Sequence, residues 1–433
     1  MLDSPCARDG NVSRVGSRRG RRGPQPSDRP PIVTSIASTR DGRPGALLPS
    51  AALAFALFAV AFGTNVPTPL LLLYRTELGL GPVALTGLFG VYAVGLVPTL
   101  FLAGPASDRF GRRAVVLPFA VLSLVASLVF LAATTSVVWL LVGRLLQGAV
   151  SGAVFSVGSA WMGELVDDPG VASRRAATAL TAGFGLGPVT AGVLGQYAPA
   201  PLHLSYVVHV VLVAIGLRLL LRVPETLLAP RRDGPLVNLG VPRPARRAFL
   251  AFVLPAGLCV FAFPSVSLAV LPLGLQAAMP GRDLVVTGLV GGVTMTSGVL
   301  VQRLAPRLGT TASATVGALC GTTGTLVGVV AGRLDAPLLL LVSAALLGAA
   351  YGLTLSAGLT ATQLLADPAA RGALVSTFYA IAYVGFAVPV LVSAASDGTD
   401  FDGALVVLAV VGFALAVVLG AGPGRRLVVG PGR

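Results

Sequence analysis

Between residues 48 and 420 the sequence offers twelve stretches of about 20 residues, each apolar enough to cross a hydrocarbon layer as a helix. No aspartate or glutamate lies inside any of them; all 17 acids fall in tails, connections or span ends. In a bilayer every backbone polar group must be satisfied within the protein, which leaves helices or closed barrels as the spanning structures. Stretches of this length predict helices. The expected spans are 48–73, 83–103, 114–133, 137–161, 175–197 and 202–221, then 248–273, 284–304, 312–332, 337–362, 373–395 and 402–420. The fold class is therefore an all-α polytopic membrane protein. Only 11% of residues are charged, against about 25% in soluble proteins. The 54 glycines suit closely packed membrane helices.

The polar stretch 222–247 carries six arginines and five prolines and divides the spans six and six. The expected organisation is a tail at 1–46, a first half at 47–221, a connection at 222–247, a second half at 248–420 and a tail at 421–433. All 31 basic residues are arginine. With both termini inside the cell, 26 of them fall in the tails and inner connections, and only Arg75, Arg282 and Arg333 fall on the other face. That bias is the positive-inside pattern, and it places the protein in the plasma or inner membrane with cytoplasmic termini. The tail at 1–46 has almost no large apolar residues and is expected to be disordered and to meet anionic lipid. The net charge of +14 is explained by this placement, so no nucleic-acid partner is expected. Cys6, Cys259 and Cys320 are scattered, which argues against a disulfide framework or a zinc site. No cofactor or metal is implied, and no phosphate-binding Gly-rich loop is present.

The densest charge between spans lies at "GPASDRFGRR", residues 104–113. Gly104 and Gly111 would let helices approach and the chain turn. Asp108 could accept from exposed N–H groups at a neighbouring helix start. The arginines could pair with carboxylates at adjacent helix ends, with Glu164 the nearest, then Asp167 and Asp168. Together these groups would form a latch that closes in one state and breaks in another.

This stretch resembles the loop 2–3 signature of the major facilitator superfamily, G-x-x-x-D-R-x-G-R-R, through Gly104, Asp108, Arg109, Gly111, Arg112 and Arg113. "GRLLQGAVSG" (143–152) is similar to the fourth-helix R-x-x-Q-G element through Arg144, Gln147 and Gly148. "GFGLGPVTAG" (183–192) resembles the fifth-helix element of the drug-antiporter branch through Gly187, Pro188 and Gly192, and "VPET" (223–226) a frequent ending of the sixth helix. The corresponding second-half loop, "QRLAPRLGTTA" (302–312), keeps Arg307 and Gly309 but has Pro306 for the aspartate and Thr310 and Thr311 for the arginines. The resemblance implies two pseudo-symmetric six-helix halves and a state-switching role for the first-half latch. It also implies a fifth-helix seal at Gly187, Pro188 and Gly192, and a midplane cavity lined by spans 1, 4, 7 and 10.

On those spans the candidate pathway residues are Asn65, Thr68, Arg144, Gln147, Ser151, Phe261, Ser265, Tyr351 and Thr354. A guanidinium on a bare transmembrane helix costs about 2.5–3.5 kcal/mol on insertion scales. Arg144 should therefore face a wet cavity or a partner, either backbone carbonyls near Pro67 and Pro69 or a substrate or coupling group. His209 is a possible proton site. The drug-antiporter branch usually carries an embedded carboxylate; its lack here leaves proton coupling open.

The function expected is secondary transport of a small organic molecule by alternating access, with efflux of an apolar or drug-like compound as the first reading. The alternative is an uptake permease for a neutral metabolite such as a sugar. A membrane sensor or embedded enzyme would need residue groupings that are not visible, and no enzyme activity is expected. The partners expected are the substrate and the bilayer, with the chain acting as a monomer.

Overall fold

The computed structural model describes residues 48–227, 241, 243–365, 371–396 and 400–421. The expectations for the tail at 1–46, for most of the connection at 222–247 and for residues 422–433 lie outside the described residues.

Eleven helices among the described residues are long and apolar enough to cross a bilayer. In the first half they are span 1 (Pro49–Leu78), span 2 (Pro82–Phe110), span 3 (Arg112–Leu131), span 4 (Val137–Leu165) and span 5 (Pro169–Tyr197). Span 6 (Leu204–Leu220) is apolar but shorter, at 17 residues. The second half holds span 7 (Arg246–Gly274), span 8 (Asp283–Gln302), span 9 (Thr310–Arg333), span 10 (Leu339–Leu365), span 11 (Leu374–Ala394) and span 12 (Asp402–Ala421). Short connections make successive spans antiparallel. The six-and-six order and the all-helical class expected from sequence are thus present.

Local chemistry sets the ends. Ser136 caps span 4 by accepting from Val138 N at 3.2 Å. Asp168 Oδ1 accepts from Gly170 N at 2.7 Å and Val171 N at 3.1 Å, and Pro169 follows at the first helical position of span 5. Those backbone bonds hold the exposed Asp168 carboxyl below the usual carboxylate range. Proline also interrupts. Span 1 breaks at Val66, between helices Pro49–Asn65 and Pro67–Leu78, because Pro67 has no N–H to offer the carbonyl of Gly63. Span 11 breaks at the 3-10 turn Gly385–Ala387, which ends two residues before Pro389.

The two halves repeat one packing solution. In the first, a Cβ on Gly148 of span 4 would strike the backbone oxygen of Tyr92 on span 2, and one on Gly152 would lie 2.5 Å from Leu96 O. In the second, a Cβ on Gly348 of span 10 would strike Thr294 O on span 8, and one on Gly352 would strike Gly298 O. A G-x-x-x-G pair on the fourth helix of each half thus lets it lie on the second helix backbone to backbone. The turn glycines match as well: Gly111 (φ 104°) and Gly309 (φ 78°) both open the third helix of their half from positive φ.

Apolar side chains on the outside, such as Val407, Val410 and Phe413 of span 12, are more than half exposed. Lipid is the solvent that suits such a surface.

Candidate functional site

The latch residues gather at one end of the first half. Arg112, at the start of span 3, donates from Nη1 to Asp108 Oδ1 at 2.6 Å and from Nη2 to Glu164 Oε1 at 2.8 Å. Its Nη1 also reaches Ser107 Oγ at 2.5 Å, and Thr226 Oγ1 donates to Glu164. The N–H groups at the start of span 3 are taken by a different acid from the one expected. Glu225 Oε1 accepts from Arg112 N at 3.0 Å, and Glu225 Oε2 accepts from Arg113 N at 2.9 Å. Asp108, four residues before Arg112, instead accepts from the guanidinium. Partial burial pushes the Glu225 carboxyl up, but the N–H groups of Leu227, Arg113, Arg112 and Thr226 outweigh it and hold the pKa below the ordinary value.

Gly111 is needed twice here, since its φ is 104° and a Cβ would lie 2.5 Å from Glu225 Oε2. A Cβ on Gly104, in contrast, would meet nothing within 4 Å, so this glycine is not a close-approach point. Arg109 lies in the last turn of span 2. Arg112, Asp108 and Glu164 belong to the first half, and Glu225 and Thr226 to the start of the connection that follows it. At Gly309, the second-half equivalent of Gly111, a Cβ would meet nothing within 4 Å among the described residues: the turn is repeated, without a carboxylate among those residues against it.

A cavity of about 410 Å³ lies between the halves. Asn65, Arg144, Ser151, Phe261, Ser265 and Tyr351 line it, joined by Leu100, Ser159 and Leu180 of the first half and Leu355, Val375 and Ser376 of the second. These last six lie toward the latch end of their helices. Aromatic side chains form its walls. Phe386, set in the break of span 11, has its ring centroid 5.7 Å from Tyr92, 6.3 Å from Phe89 and 5.1 Å from Phe261. Phe261 in turn stacks on Tyr383 at 4.6 Å.

Arg144 is the charged residue of this lining and is 3% exposed. Its Nε donates to Leu88 O at 3.2 Å, and its Nη1 to Thr64 O at 3.2 Å and to Gln147 Oε1 at 2.8 Å. Its Cζ lies over the rings of Phe89 and Tyr92, at 5.1 and 5.0 Å from the centroids. Gln147 is buried and turned toward span 1, donating to Gly63 O at 2.5 Å. That oxygen lacks the i→i−4 donor Pro67 would have been and otherwise accepts only the long bond from Val66 N at 3.3 Å. The carbonyl partners near the prolines and a place on the cavity wall, which the sequence leaves as alternatives for Arg144, occur together.

Other candidates sit elsewhere. Thr354 is fully buried, donates to Ala350 O at 2.7 Å, and would meet a Cβ on Gly317 of span 9. It lies off the cavity, turned to span 9, and a helix apolar all round gives no stripe from which the sequence could show that facing side. Thr68 lines a separate void of about 10 Å³ with Leu72, Leu268 and Thr287, and its buried hydroxyl has no partner among the described residues. His209 packs its ring against Gly63 and Phe62 on span 1, with Nδ1 2.5 Å from Ser127 Oγ. It does not line the cavity.

Away from the latch end the halves touch. A Cβ on Gly192 would lie 3.1 Å from Gly288 Cα, and one on Gly288 would lie 2.5 Å from Pro188 O. A Cβ on Gly187 would strike Phe62 O of span 1. Gly187, Pro188 and Gly192 thus form the contacts of span 5 with spans 1 and 8. Two polar bridges cross between halves at this far end. Arg75 Nη1 donates to Gln276 Oε1 at 3.0 Å, and Gln196 Oε1 accepts from Leu284 N at 3.1 Å. Gln276 also donates to Asp283 Oδ2 at 3.1 Å. Gln196, Gln276 and Asp283 are not readable as candidates in the sequence, where polar residues at span ends look like ordinary solvated caps. Neither are Phe89, Tyr92 and Phe386, which lie on spans 2 and 11.

Comparison with known proteins agrees with this architecture. The multidrug resistance protein MdtL of Escherichia coli (strain K12 / DH10B) is 37% identical over 111 residues, 25% of this chain and 27% of that protein. MdtL of Shigella boydii serotype 18 matches to the same extent. The chain therefore matches about a quarter of the length of these relatives. Among solved structures, a peptide transporter POT in complex with sulfate aligns at a TM-score of 0.76 with 15% identity, covering 89% of this chain and 96% of that one. A variant of the nucleoside transporter NupG aligns at 0.72 with 14% identity, covering 87% and 100%. At that identity the likeness is one of fold. The family model of the Major Facilitator Superfamily matches residues 53–389, across both halves, the latch and the cavity, and the chain is a multi-pass membrane protein of that superfamily, a family of transporters rather than enzymes.

Proposed function

We propose that this protein is a secondary transporter that exports a small, apolar or drug-like organic molecule across the plasma or inner membrane by alternating access. The observation that carries the reading is the cavity of about 410 Å³ walled by both halves, a volume suited to one drug-sized molecule. Arginine placement supports a cytoplasmic latch end. In that frame the described conformation faces inward: the cavity is lined toward the cytoplasm, while Gly192, Gly288 and the Arg75–Gln276 bridge hold the outer side together. The fifth-helix contacts act as the outer seal, and the multidrug resistance relatives favour efflux over uptake.

The test is uptake of a panel of neutral, anionic and cationic fluorescent compounds into inside-out vesicles, with and without an imposed pH gradient and in His209→Asn. Saturable, protein-dependent accumulation of at least one compound is expected, and its loss in Arg144→Ala with membrane insertion intact. Accumulation only in right-side-out vesicles would reverse the direction and overturn the export reading.

A further inference from the structure

The cavity carries one unbalanced charge, and that charge has a direction. Among the described residues its lining contains no aspartate and no glutamate. Arg144 is 3% exposed, and every group within its hydrogen bonds is neutral: two backbone carbonyls and the amide of Gln147. Those bonds occupy Nε and Nη1. Nη2 makes none among the described residues, on a side chain that forms part of the cavity wall. A buried cation is ordinarily matched by a carboxylate, and a fixed charge in a low-dielectric cleft concentrates the opposite sign. The remaining wall is a ring-binding surface. Nine of the 26 lining residues are aromatic, in a chain that is 6% aromatic as a whole.

We propose that the cavity selects organic anions with an aromatic body, the anionic group taken by the free edge of Arg144 and the rings by Phe89, Tyr92, Phe261 and Phe386. This rests on reading the cavity as the substrate site. An oxyanion reaching Nη2 from the cavity supplies the missing counter-charge without displacing the carbonyls that hold Nη1 and Nε. A guanidinium suits this role because Nε and Nη1 of its planar fork can stay bonded to the carbonyls and the amide while the N–H groups of Nη2 remain to receive the anion. A cationic compound of the same shape meets an unshielded like charge, and a neutral one gains the ring contacts alone.

The test uses three probes of one shape: 2-naphthoate, 2-naphthamide and 2-naphthylmethylammonium. Their binding to the full-length protein in nanodiscs is measured calorimetrically at pH 7. Binding needs no flux, so the result is independent of whether the protein exports. The carboxylate is expected to bind at least tenfold more tightly than the amide, about 1.4 kcal/mol, with the ammonium weakest. In Arg144→Gln the ratio of the carboxylate and amide constants should collapse to within twofold. Arg144→Lys, which keeps a point charge without the fork, should retain an intermediate ratio. Gel filtration and thermal unfolding check that the variants are folded. Equal constants for carboxylate and amide, tightest binding of the ammonium, a ratio that survives Arg144→Gln, or no saturable binding of any probe would each overturn the proposal. Loss of vesicle transport with the carboxylate preference intact would instead count against export and leave this selectivity standing.

Discussion

Gln147 Nε2 donates 2.5 Å to the carbonyl of Gly63, filling with a side chain the place that Pro67 leaves open in span 1. The same amide accepts from Arg144 Nη1 at 2.8 Å, so one residue couples the proline break to the cavity's charge. Gln147→Leu keeps the volume and removes both bonds. The Gly63 carbonyl would keep only the long bond from Val66 N at 3.3 Å, so the loss should cost about 0.5–1.5 kcal/mol, read as a fall in Tm in detergent, and it should lower transport as well. Gln147→Leu with wild-type Tm and transport would remove this coupling.

Gly111 and Gly309 allow one geometry to be tested twice. Both have positive φ, so either glycine replaced by alanine strains the backbone by about 1–3 kcal/mol. Only at Gly111 does the new Cβ also meet a carboxylate, that of Glu225. Gly111→Ala should lower Tm more than Gly309→Ala, and Gly111→Ala combined with Glu225→Ala should recover part of the gap.

Acid should weaken the latch with a definite sign. The folded-state pKa of Glu225 is held below its ordinary value by backbone N–H groups, against the effect of burial. The stability it contributes is therefore fully present above the unfolded carboxyl value of about 4.3 and fades as pH falls through the lower folded value. Tm of the wild type and of Glu225→Gln, measured across pH, should differ at neutrality and converge in that acid range. A constant gap would mean that the Glu225 charge is not what caps span 3.

Arg112 is shared between Asp108 and Glu164, both of which are partly exposed, so each pair alone should be worth about 0.2–1 kcal/mol. In a double-mutant cycle with Arg112→Gln and Glu164→Gln, the double variant should lose less stability than the two singles combined. Additive losses would mean that the contact is ornamental. Asp108→Asn should slow exchange between states, read as reduced turnover with unchanged membrane level.

The fold was legible because its signals are one-dimensional. Apolar length gives spans. The latch was legible in part: Arg112 and Glu164 do meet, yet the cap on span 3 is Glu225, 112 residues from Arg113 in sequence and brought there only by packing of the sixth helix end. The cavity wall was the least legible. Spans this apolar carry no polar stripe, so the inward face of span 10 cannot be told from the face carrying Thr354, which is buried against span 9. The aromatic bridge through Phe386 depends on a turn in span 11 that no sequence period announces.

The proposed rocking of the two halves can be tested with two spin-label pairs. One joins Phe110 and Leu364 at the latch end; the other joins Tyr197 and Leu338 at the far end, all four being well exposed. Distances are measured by electron double resonance in nanodiscs, with and without 2-naphthoate and across pH. Alternating access requires that when a second population forms, the Phe110–Leu364 distance shortens while the Tyr197–Leu338 distance lengthens. Distances that stay fixed under every condition, or that change in the same sense at both ends, are incompatible with a cavity that exchanges sides.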